Sequence, residues 1–507
     1  MFQTIWIYLF LISGVLCDNY ATFRFANHYA DHMVLQRSPQ RAFLWGYSDS
    51  YTIISVSVKH TKTNERQTYY TKTFKDSRGF IAWKIVLEPY KAGGPYDIIC
   101  KSNVDGKSIS LRDVLFGDVW FCSGQSNMVF PTSHAMQAEK EMDLAFNYPQ
   151  LRLFEVGRYF SNVTIHELKT KSISLQWSLP TSGKLSGFSA LCWMYGRRLF
   201  DQYHVPIGLI SSNVGGTRIE AWSSPDMLAK CNASRNDQNS ASALWNAMVY
   251  PLLNTTVYGV IWYQGENNVK HPYTYNCTFP VMIAGWRKEW YKATEKSTDS
   301  MFPFGFVQIA VIGKDYPLPK FPIIRWKQTA EYGYVPNPKQ PKTFMAVAMD
   351  LPDNATPFDT IHPRYKSDIA DRLVLGARNI AYNEETYWTG PVVDKVTLST
   401  KCETTCVMTI TYKKETLRTT GIEIRTNAGF EVSFNKSNVW TGFKITSHKK
   451  DRLYITIKKQ PSDKITGVRY AWKMEPCLLK LCAVYGASGN LPSPPFIAYG
   501  PFIETEV

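Results

Sequence analysis

The chain has 507 residues, of which 44% are hydrophobic and 14% aromatic, and it carries a formal net charge of +15. This composition excludes an intrinsically disordered protein and supplies apolar side chains for several cores, and the length predicts about three domains. The Lys and Arg residues are spread along the chain rather than gathered in a basic arm. Nucleic acid is therefore not an expected partner, whereas a basic field favours anionic ligands such as acidic sugars.

The chain begins with an apolar run from Ile5 to Leu16, followed by Cys17 and Asp18. This run is short for a membrane span, and the small side chains of Val15 and Cys17 suit cleavage before Asp18. We therefore predict a signal peptide over residues 1–17; a buried N-terminal strand is the alternative. No later segment approaches ~20 uninterrupted apolar residues, which predicts a mature chain without a membrane span.

Sequons and cysteines are consistent with export. We expect N-linked glycans at six Asn-x-Ser/Thr sequons, and these are Asn162, Asn232, Asn254, Asn276, Asn354 and Asn435. Of ten cysteines, several are expected to form disulfides of unknown connectivity, and Cys122, which lies in an apolar run, is the best candidate for a buried free thiol. These features predict a protein of the secretory pathway that is either secreted or lysosomal.

Residues 18–115 contain short β-branched or aromatic runs separated by Gly, Pro, Asp and Asn, without helical periodicity. This pattern predicts an N-terminal β-sandwich. The strand candidates are FLWGY, YTIISVSVKH, FIAWKIVLEP and YDIIC.

Over residues 116–385, continuous apolar runs alternate with amphipathic stretches. Such runs are typical of strands buried on both faces of a parallel sheet, and repeated strand–helix units predict a three-layer α/β domain. The strand candidates are DVWFC (118–122), LRLFEV (151–156), VPIGLISS (205–212), YGVIWYQG (258–265), FPFGFVQIA (302–310) and TFMAVAMD (343–350). The helix candidates are SALCWMYGRRLFDQYH, ALWNAMVYPLL, FPVMIAGWRKEWY and IIRWKQTAEYG. Residues 386–507 return to alternating, turn-rich β sequence, which predicts a second β-sandwich.

Polar residues cluster where predicted α/β strands end or a helix begins, at 123–127, 213–217, 264–268 and 359–362. In a parallel sheet such positions lie side by side and bind ligands. Ser126, in SGQSNM, follows a glycine that permits a sharp turn and precedes a predicted helix, where unsatisfied N–H groups are available to an oxyanion. It is a candidate nucleophile; a helix N-cap is the alternative.

Asp359 and His362 form Asp-x-x-His before a predicted helix. At this spacing a carboxylate can orient an imidazole whose other nitrogen faces a serine; an exposed loop histidine is the alternative. Gly215 and Gly216 allow backbone N–H groups to approach a ligand closely, or form an ordinary loop.

Together these pieces resemble one family. FGDVWFCSGQSNM, SNVGGTRIEAW, IWYQGENN and IHPRYKSDIADRL are similar to motifs of the SGNH hydrolase superfamily and, within it, of the sialate O-acetylesterase family, as are ADHMVLQRSPQRAFLWG and YGASGNLPSPPF in the flanking β regions. The resemblance spans nearly the whole mature chain. It implies hydrolysis of O-acetyl esters of sialic acids, with no metal or organic cofactor.

The resemblance also assigns roles to residues. Ser126 matches the family's nucleophile, His362 its base, and Asp359 the superfamily's acid. Because Thr360 stands where many relatives carry an acid, Asp353, Asp350 or a backbone carbonyl are alternatives for orienting the imidazole. Gly216 corresponds to the oxyanion glycine, and a side-chain amide is expected from Gln264 or Asn267.

Beyond the family assignment, Arg218 is a candidate to pair with the carboxylate of a sialic acid, and a purely structural arginine is the alternative. Two other functions stay open. One is an acetylesterase of other acetylated carbohydrates that uses the same residues. The other is a catalytically inert glycan-binding protein. The sequence leaves the oligomeric state undetermined.

Overall fold

The structure, a computed structural model, describes residues 23–233, 241–313, 320–400, 402–487 and 489–506. The predicted signal peptide and its alternative, an N-terminal strand, lie outside the described residues. Within these ranges no helix is long and apolar enough to cross a bilayer.

The N-terminal part consists of two sheets, one ordered β1-β3-β7-β6 and one in which β2, β4, β5, β8 and β9 pair with one another. The strands are β1 (Arg24–Phe25), β2 (Val34–Gln36), β3 (Phe43–Tyr47), β4 (Ile53–His60), β5 (Arg66–Lys72), β6 (Phe74–Lys75), β7 (Ile81–Val86), β8 (Gly93–Ser102) and β9 (Ser108–Gly124). In β4, Ile54, Val56 and Val58 are buried while their neighbours are not, which is the alternation of a strand with one buried face.

Strand β9 connects this part to the centre of the molecule. Its first half pairs antiparallel with β8, and from Asp118 to Gly124 it pairs in parallel with later strands. Along the strand, burial changes from alternating to continuous, because the second half is covered on both faces. The predicted domain boundary at 115/116 lies inside β9, so a continuous strand connects the two parts.

Seven strands form the central sheet, in the order β11-β10-β12-β9-β13-β14-β15. Besides β9 they are β10 (Leu151–Val156), β11 (Ile173–Ser178), β12 (Ile207–Asn213), β13 (Gly259–Tyr263), β14 (Phe304–Gln308) and β15 (Thr343–Val347). All neighbours are parallel except β11, which is antiparallel to β10. The six predicted strands are confirmed. β11 was not predicted, because this edge strand is only partly buried and lacks a continuous apolar run.

Helices cover both faces of the central sheet. They are α1 (Ser126–Val129), α2 (Ala138–Leu144), α3 (Ser182–Gly187), α4 (Ala190–Tyr203), α5 (Pro225–Ala229), α6 (Tyr275–Ala293), α7 (Phe321–Gln328) and α8 (Lys366–Ile380). Trp120 of β9 packs against Tyr195 of α4, with ring centroids 5.1 Å apart, and the next residue, Phe121, packs against Trp290 of α6 at 5.3 Å. Successive strand residues point to opposite faces, so α4 and α6 lie on opposite sides of the sheet.

One predicted helix has a different form. The stretch ALWNAMVYPLL folds as a π-helical turn, Trp245–Val249, followed by a 3-10 turn, Tyr250–Leu252. Pro251 has no N–H to donate to the preceding turn, so a regular α-helix does not continue through it.

The C-terminal part is all β, with sheets ordered β21-β22-β17-β16-β26, β20-β19-β23-β25 and β18-β24. Its strands are β16 (Val393–Ser399), β17 (Thr405–Tyr412), β18 (Ile422–Ile424), β19 (Phe430–Phe434), β20 (Trp440–Phe443), β21 (Ile445–Lys449), β22 (Arg452–Lys458), β23 (Ile465–Tyr470), β24 (Val484–Gly486), β25 (Phe496–Tyr499) and β26 (Ile503–Thr505). The predicted fold class, a three-layer α/β domain flanked by two β-domains, is confirmed.

Four disulfides occur among the described residues: Cys122–Cys192, Cys231–Cys277, Cys402–Cys406 and Cys477–Cys482. The prediction that Cys122 is a free thiol is wrong. Two residues beyond Trp120, it faces α4 as Trp120 does, and its Cα lies 5.8 Å from that of Cys192 in that helix. The free buried thiol of the described residues is Cys100.

Candidate active site

The turn after β9 presents Ser126. Gly124 ends the strand with φ of +143°, and a Cβ there would lie 2.1 Å from the carbonyl oxygen of Tyr263 in β13. Only glycine allows the two backbones to approach this closely. Gln125 donates its N–H to the same carbonyl at 2.9 Å. Helix α1 then begins at Ser126, which places the half-buried hydroxyl at the carboxyl edge of the sheet.

His362 lies in the loop before α8 and faces Ser126. Its Nε2 is 2.8 Å from Ser126 Oγ, although the two residues are 236 positions apart in the chain. Its Nδ1 is 2.7 Å from the carbonyl oxygen of Phe358. That carbonyl accepts only from a protonated Nδ1, which leaves Nε2 as an acceptor for the hydroxyl hydrogen. This is the geometry that a general base requires.

The structure contradicts the predicted contact between Asp359 and the imidazole. Asp359 has a left-handed backbone, with φ of +68°, and its Oδ1 lies 3.4 Å from the Thr360 hydroxyl. The alternatives Asp353 and Asp350 each form a bidentate ion pair with an arginine. The third alternative, a backbone carbonyl, is the one found, at Phe358. The Asp-x-x-His spacing gave a wrong prediction because the left-handed φ of Asp359 turns the chain. As a result the Phe358 carbonyl, and not the Asp359 carboxylate, contacts the imidazole of His362.

Burial lowers the pKa of His362 below its ordinary value. The hydrogen bond to the Phe358 carbonyl raises the pKa, the charge of Lys366 lowers it further, and the Asp359 carboxylate raises it. Burial is the largest of these effects. An imidazole with a lowered pKa is neutral near pH 7 and able to accept a proton.

The loop after β12 packs against Ser126. A Cβ on Gly215 would lie 3.4 Å from the Ser126 Cβ. Gly216 follows with φ of +69°, and its carbonyl oxygen accepts a hydrogen bond from Asn267 Nδ2 at 2.7 Å. The structure therefore brings Gly216 and Asn267 together beside Ser126. Arg218, half-buried, ends the same loop.

The structure contradicts the predicted oxyanion role of Gln264. The side chain is fully buried, and its amide nitrogen donates to the Thr217 carbonyl at 3.0 Å and to Asn268 Oδ1 at 2.7 Å. Its Oε1 accepts from the Tyr275 hydroxyl at 3.0 Å. Gln264 therefore holds the turn after β13 and does not face Ser126.

Three buried polar residues that the sequence motifs did not identify lie behind the Ser126–His362 pair. They are Asn127, Glu266 and Lys366, and each is at most 5% exposed. One sequence signal points to these three residues. It is Lys366, in the first turn of α8 and four residues after His362, because a lysine is rarely buried unless it is paired.

The predicted glycosylation sites lie at or near the surface. Asn162, Asn232, Asn354 and Asn435 are exposed, whereas Asn254 and Asn276 are half-buried.

Similarity to known proteins agrees with this geometry. Residues 116–363 match the family model described as carbohydrate esterase, sialic acid-specific acetylesterase, and residues 395–500 match the sialate O-acetylesterase C-terminal domain. The sialate O-acetylesterase of Homo sapiens is 38% identical over 94% of this chain and 92% of its own length. That of Mus musculus is 37% identical over 97% of both chains. This chain belongs to the sialate O-acetylesterase family.

The likeness to a solved structure extends over nearly the whole chain. The crystal structure of a carbohydrate acetylesterase from Xanthomonas citri superposes with a TM-score of 0.77 at 28% identity, covering 94% of this chain and 99% of that chain. Membership of the sialate O-acetylesterase family, predicted from the motifs, is confirmed.

Proposed function

We propose that this protein is a serine esterase that hydrolyses O-acetyl esters of sialic acids to free acetate through an acetyl-enzyme. The observation that carries the proposal is the 2.8 Å contact between Ser126 Oγ and His362 Nε2 at the carboxyl edge of a parallel sheet. Membership of the sialate O-acetylesterase family supports the choice of substrate.

In the first half-reaction, Ser126 Oγ attacks the acetyl carbonyl carbon while His362 Nε2 removes the hydroxyl proton. The carbonyl oxygen becomes an oxyanion, which needs hydrogen-bond donors in the site. We assign these to the backbone N–H groups of Ser126 and Gly216 and to the side-chain amide of Asn267. The tetrahedral intermediate then collapses, and the protonated imidazole gives its proton to the departing sugar hydroxyl.

In the second half-reaction, water attacks the acetyl-enzyme. His362 Nε2 takes a proton from the water, the second tetrahedral intermediate collapses, and the proton returns to Ser126 Oγ as acetate leaves. The Phe358 carbonyl keeps the proton on Nδ1 throughout, so that the imidazole presents the same nitrogen to both steps. We propose no part for Asp359 as a hydrogen-bonding partner of the ring.

Arg218 is the proposed partner of the sialic acid carboxylate. It ends the loop that packs on Ser126, and a guanidinium forms bidentate pairs with carboxylates. The solved carbohydrate acetylesterase at 28% identity favours a second candidate function, deacetylation of other carbohydrates. A neutral acetylated sugar has no carboxylate for Arg218, so the two candidates differ in their dependence on this residue.

We further propose that the chain enters the secretory pathway and is secreted or lysosomal. Four disulfides among the described residues support an oxidising compartment. Within the mature chain, residues 116–385 carry the catalytic site, with β-domains over 18–115 and 386–507.

The test is acetate release by the wild type and by Ser126→Ala, from O-acetylated sialic acid and from acetylated xylan, with 4-nitrophenyl acetate as a general ester. We expect Ser126→Ala to fold and to lose activity toward all three, because no nucleophile remains. We expect Arg218→Ala to lose activity toward the sialic acid ester while keeping that toward 4-nitrophenyl acetate. A wild type that releases acetate no faster than the uncatalysed background would leave the inert glycan-binding protein as the better account. Equal rates for wild type and Ser126→Ala above that background would exclude Ser126 as the nucleophile.

A further inference from the structure

A buried polar cluster, formed by Asn127, Glu266 and Lys366, lies directly behind Ser126 and His362. Asn127 Nδ2 donates to Glu266 Oε1 at 2.7 Å, and Lys366 Nζ donates to Asn127 Oδ1, also at 2.7 Å. All three side chains are buried, with Asn127 and Lys366 at 0% exposure. Asn127 is therefore the central member, bonded to an acid on one side and to a base on the other.

The cluster also holds the backbone on both sides of His362. Asn127 Nδ2 donates to the carbonyl of Ile361 at 2.9 Å, and Lys366 Nζ donates to the carbonyl of Pro363 at 2.6 Å. These are the residues immediately before and after His362. Because Asn127 is also the residue after Ser126, a single side chain ties the turn that carries the hydroxyl to the loop that carries the imidazole.

Burying this cluster is costly. An ion moved out of water loses several kcal/mol of solvation free energy, and apolar side chains of similar volume often serve a core as well or better. The contacts of the cluster are instead directed at the two segments that must meet for proton transfer. A cluster of this kind is expected at a site where geometry has to be maintained within a fraction of an ångström.

We propose that Asn127, Glu266 and Lys366 are positioning residues that hold the His362 loop against the Ser126 turn, so that Nε2 stays aligned with the hydroxyl. The inference rests on the proposed function, because alignment has a measurable consequence only if the pair performs the reaction. None of the three residues is assigned contact with the substrate.

The charges of the cluster add a second effect. Lys366 Nζ lies 4.4 Å from the ring centroid of Phe130 and 5.6 Å from that of Tyr263. Its charge interacts with the Glu266 and Asp353 carboxylates and with the imidazole of His362. Burial lowers the pKa of Lys366 to about 7, and the two carboxylates raise it. Burial raises the pKa of Glu266, whereas the hydrogen bond from Asn127 and the charge of Lys366 lower it. Protonated Lys366 disfavours a second cation on His362 and so lowers the pKa of the imidazole.

Two variants test the positioning role, Asn127→Ala and Lys366→Met. The displaced imidazole should lower kcat by about 100-fold, with KM within about twofold of wild type, because substrate binding is untouched. Rates are expressed per active site, counted by reaction of Ser126 with a fluorophosphonate. In Lys366→Met the acidic limb of the kcat/KM profile should also move to higher pH, because the charge that opposes protonation of His362 is gone.

Glu266→Gln separates charge from alignment. The Gln Oε1 still accepts the Asn127 bond, while Lys366 loses one of the two carboxylates that raise its pKa. We expect kcat on the plateau within about threefold of wild type, because the hydrogen bonds that hold the loop remain. Glu266→Leu cannot accept the Asn127 bond and should lower kcat by at least about tenfold. If the first two variants do not fold, this pair decides: equal kcat values for Glu266→Gln and Glu266→Leu would overturn the proposal.

Arg372→Met is the matched control. Arg372 lies on the same helix as Lys366, is also buried, and pairs with Asp350 instead of the His362 loop. The Arg372→Met variant should have a lower melting temperature, but kcat per active site and the acidic limb of the kcat/KM profile should be unchanged. The proposal is overturned if Asn127→Ala and Lys366→Met behave like this control. A wild type without esterase activity, or a Ser126→Ala variant that retains it, would instead overturn the proposed function.

Discussion

At the residue scale, the site is defined by what the imidazole meets on each side. Nε2 meets the Ser126 hydroxyl, and Nδ1 meets the Phe358 carbonyl. A carbonyl fixes the tautomer as a carboxylate does, but it carries no full negative charge to stabilise the imidazolium that forms in the transition state. Ser126 and His362 therefore act as a dyad in which the backbone orients the base. Burial lowers the pKa of His362 below its ordinary value, because no carboxylate is hydrogen-bonded to the ring to offset it.

Asp359→Asn tests this dyad. In a triad whose aspartate holds the histidine, the same change costs about 10⁴-fold in kcat. In this protein we expect kcat to fall by less than about tenfold, because the Phe358 carbonyl holds Nδ1 of His362. The Asp359 charge raises the pKa of His362, so its removal should move the acidic limb of kcat/KM to lower pH, opposite to the shift expected for Lys366→Met. The measurement is a pH–rate profile; a loss of more than about 10³-fold would restore Asp359 as the orienting acid.

At the element scale, β9 determines where the hydroxyl stands. It pairs with β12 on one side and β13 on the other, and Gly124 lets its end approach Tyr263 closely enough for the turn to form. The position of Ser126 is thus set by strand register and not by α1, which has four residues. The Cys122–Cys192 disulfide ties the same segment to α4.

Gly124→Ala tests the strand-end geometry. The added methyl group would lie 2.1 Å from the Tyr263 carbonyl oxygen at φ of +143°, so β9 and β13 have to separate. We expect a loss of about 2 kcal/mol or more in unfolding free energy and a loss of esterase activity in the folded fraction. Gly183→Ala is the control, because it lies in α3 with open space at its Cβ; it should be neutral or stabilising. Similar stability of the two variants would refute the close-approach argument.

The elements that could be predicted are those with a strong local pattern. Continuous apolar runs predicted all six parallel strands. The polar clusters at three strand ends and before α8 predicted that the segments of Ser126, Gly216, Asn267 and His362 lie together. What failed depended on tertiary context. β11 is a partly exposed edge strand, the left-handed φ at Asp359 replaces a carboxylate by a carbonyl, and Gln264 is directed inward by its bonds to Thr217 and Asn268.

At the scale of the whole molecule, the three parts are connected by more than the chain. β9 runs from the N-terminal sheets into the central sheet. Arg325 of α7, fully buried, donates to the carbonyls of Ile309 and Ala310 beyond β14 and of Lys473 and Met474 in the C-terminal part, all within 3.0 Å. Burial lowers its pKa to about 9, and it joins the C-terminal β-domain to the segment beyond β14.

Arg325→Met tests this connection. Four carbonyls lose a charged donor, so we expect a loss of at least about 3 kcal/mol in the free energy of unfolding, together with earlier cleavage between the central and C-terminal parts in limited proteolysis. Lys327→Met on the same helix is the control. Its surface pair with Glu331 has i,i+4 spacing and contributes only about 0.5 kcal/mol. Equal urea midpoints for the two variants would show that Arg325 does not hold the domains together.

The most direct test of the central claim, that His362 activates Ser126 as the nucleophile, is to trap the acetyl-enzyme. Wild-type protein is mixed with an O-acetylated substrate, quenched in acid within the first turnover, digested and examined by mass spectrometry. We expect one acetyl group, located on Ser126, with its formation greatly slowed in His362→Ala. Turnover without an acetyl group on Ser126, or with acetyl transfer to another side chain, would contradict the account.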